Sequence, residues 1–453
     1  MKNFVIVGGS DAGISAALRI VELDPAVRPT VFIEDSFPNF SICGLPYYIS
    51  HEVADWRNLA HRTARDIESH GISLVQSCAV TSIDTQSKQV IATDRLGATI
   101  RQPYDRLLLA TGALSLKPRI SGLDNQGVFL LRTLPDSFAI EEYLGRTSPK
   151  RAVIVGGGYI GMEMCEAFTT RGIEVHVVEY TESIMTSIDA DLGRLITETL
   201  TGHGVTVHTG IAVESIETKG NELLVRGNNA FEISADIVLV AVGATPNTAL
   251  GRSIGIEAGV KGALTVNRRM ETNVPDVYAA GDCAETWHRM LQKHTYMPLG
   301  TVAHKQGRIA GENALGGKAE FAGTLGTQSV KVFDKVVART GLNEKEARNA
   351  GFQPVTADSE TWDHKVYYPD AHRLIIRVTA DRETRKLLGA QMIGAYGTEV
   401  SKRVDIFAAA LFHGATIEDF TGYDLGYTPP LSSPWDPVQM AVQNIEKVLS
   451  GRH

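Results

Sequence analysis

The sequence predicts an α/β chain with two Rossmann-like units followed by a C-terminal α+β domain. Three observations carry this class. A strand, a glycine turn and a helix occur in that order twice, over residues 4–23 and 152–168. Short apolar runs that feed small-residue turns recur between and after them, as expected of parallel strands buried on both faces. Beyond about residue 323 no further glycine fingerprint occurs, and strand-like and helix-like segments mix.

The first unit runs from a strand over 4–7 through Gly8-Gly9-Ser10-Asp11-Ala12-Gly13 into a helix over 14–23. The second runs from 152–155 through Gly156-Gly157-Gly158-Tyr159-Ile160-Gly161 into a helix that reaches 168. Each is followed by a β run ending on an acid, Glu34 in one and Glu179 in the other. Residues 104–112 read as a buried strand that ends in Ala110-Thr111-Gly112, and 235–243, ending at Gly243, and 277–282, ending in Gly281-Asp282, repeat the pattern. In the last third, 329–340 and 374–378 read as strands, and 344–350 and 404–411 as helices. The tail 427–435 is too rich in proline for regular structure and too aromatic for a free linker, so it is expected to pack against a surface.

Glycine makes up 43 of the 453 residues, and its excess lies in clusters without a repeat, which excludes collagen-like and low-complexity chains. With 44 basic and 52 acidic residues, a net charge of −8 and no basic stripe, nucleic acid is excluded as a partner. Apolar runs such as 237–242 fall far short of the ~18 residues of a membrane span, and the first residues lack the basic flank and long apolar core of a signal peptide. Cys43, Cys78, Cys165 and Cys283 form neither a CxxC pair nor a metal-ligand spacing, which fits a reducing cytoplasm and no metal site.

Gly156, Gly158 and Gly161 fill all three positions of G-x-G-x-x-G, for the tight turn, the close approach of a pyrophosphate and the packing of helix on strand. Tyr159 and Ile160 open a helix whose bare N–H groups and dipole suit a phosphate. Glu179, 23 residues after Gly156, is placed for the hydroxyls of an adenosine ribose. That carboxylate repels a 2′-phosphate, and Tyr180-Thr181-Glu182 supplies no arginine to receive one, so NADH is expected ahead of NADPH. Gly243, at the turn after its own buried strand, belongs to the same site.

The first fingerprint keeps Gly8, Gly9 and Gly13 but carries Ser10 at the middle position, with Glu34 26 residues after Gly8. Thr111-Gly112 and Gly281-Asp282 are available to close over a longer dinucleotide, with Asp282 on a ribityl chain. FAD in the first unit and a nicotinamide cofactor in the second is the economical assignment, because a hydride donor needs an acceptor in the same molecule.

Cys43 lies nine residues after Glu34, in Ile42-Cys43-Gly44-Leu45-Pro46. Pro46 suits a first helical turn, so Cys43 is expected at or just before a helix N-terminus, where the dipole stabilises a thiolate. Against a flavin, such a thiolate can pass electrons to a disulfide, a persulfide or a peroxide. No second cysteine is near enough for a dithiol mechanism, and the other three cysteines read as packing residues.

Taken together, Cys43-Gly44-Leu45-Pro46-Tyr47-Tyr48, Ala110-Thr111-Gly112, residues 156–163, Val242-Gly243-Ala244-Thr245-Pro246-Asn247, Ala279-Ala280-Gly281-Asp282 and Tyr427-Thr428-Pro429-Pro430 resemble the single-cysteine pyridine nucleotide-disulfide oxidoreductases. That group includes coenzyme A-disulfide reductases, NAD(P)H persulfide reductases, and NADH oxidases and peroxidases. The resemblance implies a glutathione-reductase-like homodimer, with an FAD domain over 1–117 and 246–323, an inserted NAD(P)H domain over 118–245 and a dimerisation domain over 324–453. It further implies that Cys43 forms a mixed disulfide with the substrate, assisted across the interface by Tyr427 and by Tyr367 or Tyr368.

Three positions depart from the family's patterns. Oxidases and peroxidases carry a histidine where this chain has Asp11, which weakens a peroxide chemistry. Coenzyme A-disulfide reductases commonly have Ser-Phe-Ala-Asn before the cysteine, against Asn39-Phe40-Ser41-Ile42 here, and an arginine of the phosphate site where this chain has Glu22. Arg19, Arg57, Arg62 and Arg65 are alternative sources of that charge. The expected function is reduction of a disulfide or persulfide of a low-molecular-weight thiol. An oxygen- or peroxide-reducing NADH oxidase and a flavin reductase of an electron-carrier protein are the alternatives.

Overall fold

The computed structural model describes residues 3–451. Two five-stranded parallel sheets form its centre. The first has the order Val277–Ala279, Arg106–Leu109, Phe4–Val7, Thr30–Phe32, Ser73–Val75. The second has the order Thr206–His208, Glu174–Val178, Arg151–Val155, Ile237–Val240, Val128–Phe129. Phe4–Val7 is buried along its length and Arg151–Val155 from Ala152 onward, as apolar runs require, and a three-stranded antiparallel sheet accompanies each unit.

The helix Asp11–Leu23 covers the first sheet and packs closely against Gly300–Ala314. Small residues permit that approach: a Cβ on Gly307 would stand 2.1 Å from the Ala12 carbonyl oxygen, and one on Gly311 2.5 Å from that of Ala16. The chain therefore returns from the second unit to complete the first, both at strand Val277–Ala279 and at this helix.

The C-terminal domain is an antiparallel sheet in the order Gln328–Val332, Lys335–Gly341, Leu387–Ala395, Arg373–Asp381, Pro354–Trp362, with helices Val400–His413 and Pro437–Leu449 packed on it. The run 329–340, read from sequence as one strand, is a hairpin that turns at Phe333-Asp334, where Phe333 takes a φ of 53°. No glycine or asparagine marks that turn. Arg377 fastens this domain to the second unit, reaching Asp189 at 3.0 Å, Asp191 at 2.5 Å and Asp358 at 2.6 Å. Its three carboxylate partners hold the guanidinium strongly protonated.

Candidate active site

Strands Phe4–Val7, Arg106–Leu109 and Val277–Ala279 are adjacent and parallel, so the turns that follow them meet at one end of the sheet. There Gly8 takes a φ of +113°, and a Cβ on it would lie 2.1 Å from the Ala110 carbonyl oxygen. A Cβ on Gly13 would lie 1.9 Å from the Gly8 oxygen. Gly112, also at positive φ, faces open space. Among the described residues, five helices begin with a reciprocal side-chain cap, at Thr63, Thr133, Asn343, Thr416 and Asp436. Asp11–Leu23 does not: Ser10, its N-cap, makes no capping bond, so the first-turn N–H groups remain free for an anion. Glu34 is exposed beyond the end of its strand. This cradle of bare backbone, free donors and a terminal acid fits a dinucleotide, and the extra turns at Thr111-Gly112 and Gly281-Asp282 fit FAD.

The second cradle repeats the geometry. A Cβ on Gly156 would stand 2.5 Å from the Ala241 oxygen and one on Gly161 2.1 Å from the Gly156 oxygen, while Gly158 and Gly243 face open space. Tyr159–Thr170 also begins without a side-chain cap. Ile160 lies in its first turn, and Tyr159 accepts a hydrogen bond from the Ser187 hydroxyl at 3.0 Å. Glu179, the acid expected on a ribose, is tightly held. Its Oε2 accepts from the Gly157 N–H at 2.6 Å, and its Oε1 accepts from the N–H and hydroxyl of Thr181, each at 2.8 Å. These bonds fix the carboxylate at the fingerprint turn.

Cys43 stands between the two cradles. It occupies a single 3-10 turn, Ile42–Gly44, that leads into the five-residue helix Leu45–Ile49 with Pro46 in its first turn. That helix packs on Tyr159–Thr170 of the second unit: the Tyr47 hydroxyl donates to Glu163 Oε1 at 3.3 Å, and Arg171 donates to the Ile49 carbonyl at 2.9 Å. On the other side, the Asn39 N–H donates to the Gly9 carbonyl at 2.8 Å. A cluster of edge-to-face aromatic contacts among Phe37, Phe40, Trp56 and Phe138 anchors the loop beneath.

Cys43 is exposed, whereas Cys78, Cys165 and Cys283 are buried. The protein close around the Cys43 thiol nevertheless pushes it above the ordinary thiol range, and the charges of Glu163, Asp11 and Asp282 add to that, with Arg132 opposing. The thiol thus faces an open cleft whose walls are near and mostly acidic. The sequence argument for a thiolate favoured by a helix dipole meets two physical obstacles here: the helix has five residues, and carboxylates outnumber cations.

Sequence reasoning missed several residues at this junction. Arg132 donates to Asp282 Oδ2 at 2.5 Å, so the acid expected on a ribityl chain also holds an arginine from the other unit. Glu163 ends the run 156–163, and the sequence pattern gives it no role; burial raises its carboxyl to about 7. Tyr47 had no signal beyond its place in the cysteine turn. Glu22 pairs with Arg308 at 2.8 Å and with Arg19 at 2.9 Å, and Arg19 also reaches Glu312 at 2.5 Å. Arg57 is engaged by Asp55 and stacks on Trp56, and Arg62 donates to Asn39 at 3.4 Å.

Tyr367, Tyr368 and Tyr427 lie on the C-terminal domain and are exposed. The segments that carry them run together, with the Lys365 N–H on the Pro429 carbonyl at 3.2 Å, and Arg403 donates to carbonyls in both. Val366, Leu431 and Trp435 extend the exposed apolar strip. Among the described residues no group of three or more His, Cys, Asp and Glu side chains could hold a metal ion, and no helix is long and apolar enough to cross a membrane.

Two nucleotide cradles with a reachable thiol between them define a redox protein that joins a dinucleotide to a sulfur centre. The chain belongs to the pyridine nucleotide-disulphide oxidoreductase family, which matches residues 2–307, with the family's dimerisation domain over 327–437. It is an FAD- and NAD(P)H-dependent oxidoreductase with a glutathione-reductase-like fold. It is 36% identical to an NAD(P)H sulfur oxidoreductase (CoA-dependent) of Pyrococcus abyssi, over 96% of each chain. It is 30% identical to a coenzyme A disulfide reductase of Staphylococcus haemolyticus, over 97% of this chain and 98% of that one. Among solved structures, an NAD-dependent persulfide reductase from A. fulgidus superposes with a TM-score of 0.95 at 33% identity, covering 99% of this chain and 84% of that one.

Proposed function

We propose that this protein uses NADH to reduce the disulfide or persulfide of a low-molecular-weight thiol, with Cys43 as the sulfur that exchanges with substrate. The single observation that carries this is the position of an exposed thiol at the junction of the two cradles, on a turn whose preceding loop is hydrogen-bonded to the first fingerprint and whose following helix packs on the helix of the second. In this reading FAD is held by residues of 1–117 and 246–323, NADH by 118–245, and the dimer by 324–453. When bound, FAD supplies two-electron transfer between the nicotinamide and the sulfur. The chain's part is to hold the reactants in line, to keep Cys43 open to substrate and to handle protons. Gly8, Gly9, Ser10, Gly13, Glu34, Thr111, Gly112, Gly281 and Asp282 serve the flavin; Gly156, Gly158, Tyr159, Ile160, Gly161, Glu179 and Gly243 serve NADH.

Names of relatives support the sulfur chemistry, and Asp11 in place of a histidine supports it over peroxide reduction. The exposed strip of Tyr367, Tyr368, Tyr427, Leu431 and Trp435 supports a homodimer in which these tyrosines reach the partner's cysteine cleft, where a phenol can protonate or hold a leaving thiolate. Four free cysteines suit a reducing cytoplasm. The test is anaerobic NADH oxidation over coenzyme A disulfide, glutathione disulfide, their persulfides and polysulfide, with wild type and Cys43→Ser. Wild type turns over at least one of these, and Cys43→Ser none, although NADH still bleaches its flavin. Rapid aerobic NADH consumption that needs no added disulfide would sink this reading in favour of an oxidase.

A further inference from the structure

A buried histidine sits at the neck of the loop that carries Tyr367 and Tyr368. Residues 363–372 join strands Pro354–Trp362 and Arg373–Asp381. Asp363 and His372 close that loop: the Asp363 N–H donates to the His372 carbonyl at 3.0 Å, and the His372 N–H donates to Asp363 Oδ1 at 2.8 Å. Just inside the neck, the buried imidazole of His364 lies between two oxygens. Its Nδ1 is 2.9 Å from Asp363 Oδ2, and its Nε2 is 3.0 Å from the Pro369 carbonyl oxygen. A carboxylate and a carbonyl can only accept, so both ring nitrogens have to donate, which the imidazolium alone can do.

The contact with Pro369 spans the turn, which is also closed by the Tyr368 N–H on the Lys365 carbonyl at 2.8 Å. Tyr367 and Tyr368 lie on the arc between His364 and Pro369, and the Tyr368 ring meets the imidazole edge to face with centroids 5.8 Å apart. The segment of Tyr427 is fastened at the same point. Buried Arg403 donates to the Asp363 carbonyl at 2.8 Å and to the Leu431 carbonyl at 3.2 Å, and it reaches Asp436 Oδ2 at 3.5 Å. The Ser432 hydroxyl donates to that same Asp436 oxygen at 2.6 Å. Tyr427 faces the Tyr367 phenol.

We propose that His364 is a positioning residue: as an imidazolium bridging Asp363 to the Pro369 carbonyl, it holds Tyr367 and Tyr368, and through them Tyr427, in the arrangement offered to the cysteine cleft of a partner subunit, and loss of its proton releases the loop. This rests on the reading of those tyrosines given above. His364 itself touches no reactant. The charges that face it are Asp363, from the loop, and Arg403, from helix Val400–His413; Asp436, at the start of helix Pro437–Leu449, is engaged by Arg403. The bond to Asp363 raises the imidazole above its ordinary range, while burial and Arg403 oppose this and Pro369 assists. Once the proton leaves, one nitrogen turns a lone pair on an oxygen. The contact at Pro369 gives way, because Asp363 stays held by the His372 N–H. The bridge is therefore complete below the free imidazole value of ~6.5 and is lost as pH rises through the higher folded value.

The FAD-loaded enzyme is assayed anaerobically from about pH 6 to about pH 9 with NADH and with glutathione disulfide or coenzyme A disulfide, whichever wild type turns over faster. His364→Gln lowers turnover about tenfold at the acid end and meets the wild-type rate at the alkaline end, where wild type has lost the proton too. Its flavin is reduced by NADH at the wild-type rate throughout. Asp363→Asn moves the alkaline loss of turnover to lower pH. Two measurements on the wild-type protein do not depend on turnover. Hydrogen exchange at the imidazole C2, read by mass spectrometry, gives His364 a midpoint above the ordinary imidazole range, and amide exchange of 364–370, corrected for its intrinsic pH dependence, speeds up across that midpoint. A ratio of wild-type to His364→Gln turnover that is constant with pH overturns the proposal, and so does a His364 midpoint at or below ~6.5; either leaves the histidine a packing residue. Full turnover in Tyr367→Phe, Tyr368→Phe and Tyr427→Phe defeats the tyrosine reading instead, as failure of wild type to reduce any disulfide defeats the reductase reading. In both cases the two exchange measurements still decide whether His364 holds the loop.

Discussion

Glu163 shows how far a site can shift a single residue's chemistry. Burial raises its carboxyl from the ordinary range to about 7, against the help of the Tyr47 hydroxyl and Lys331, and with Glu166 adding repulsion. Because the folded-state value lies above the unfolded one, folding is unimpeded by this group below about 4.5 and is penalised as pH rises through 7. The full penalty is about 3 kcal/mol at 1.36 kcal/mol per unit. Glu163→Gln removes it, so the urea midpoint of the variant rises relative to wild type between pH 5 and pH 8. A gap that stays constant over that range contradicts the assignment. Cys43 is the complementary case: its place in a glycine- and proline-bounded turn nine residues after Glu34 was legible, but the direction of its acidity was not. Acidic side chains at positions 11, 163 and 282 surround it, and nothing local in the sequence places them there.

At the scale of elements, the helix pair Asp11–Leu23 and Gly300–Ala314 carries most of the site's precision. It brings Ser15 to His304, Arg19 to Glu312 and Glu22 to Arg308. The approach depends on Gly307, where any Cβ meets the Ala12 carbonyl. Gly307→Ala pushes the helices apart, costs about 1–3 kcal/mol, and loosens the contact of Asp11 Oδ1 with His304 Nε2 along with it. Thermal denaturation of the FAD-loaded enzyme reads the first effect; an unchanged midpoint would show that the helices yield freely. The two fingerprint units were legible because glycine at fixed spacing has a local cause, a positive φ or a close approach. The hairpin at Phe333-Asp334 was not, since Asp334 is its sole turn-favouring residue and Phe333, which takes the positive φ, is not one.

For the whole molecule, Val366, Tyr367, Leu431 and Trp435 are large apolar side chains exposed on the C-terminal domain. With a family dimerisation domain in the same region, this strip is the expected seam between two copies. Leu431→Glu combined with Trp435→Glu yields a monomer by sedimentation velocity. That monomer keeps reduction of its flavin by NADH in stopped flow and loses turnover with disulfides, as the proposed role of the partner's tyrosines requires. A variant that remains dimeric removes the strip from the interface. Arg377, bridging three carboxylates between the C-terminal sheet and the second unit, holds each subunit's domains in one arrangement, so the seam and the cleft are coupled within a chain.

By itself the sequence determined the fold class and the two glycine cradles, and it singled out Cys43 as the candidate redox cysteine. Each of these rests on short-range causes: glycine geometry, the apolar composition of buried strands, and the spacing of an acid from its turn. Only the tertiary structure decided which charges meet at Cys43. Arg132 on Asp282 and His304 on Asp11 join residues 150 and 293 positions apart, and such pairs exist only once two helices and two nucleotide units have packed. The electrostatics of a site sum over neighbours in space, and a linear pattern does not contain that sum.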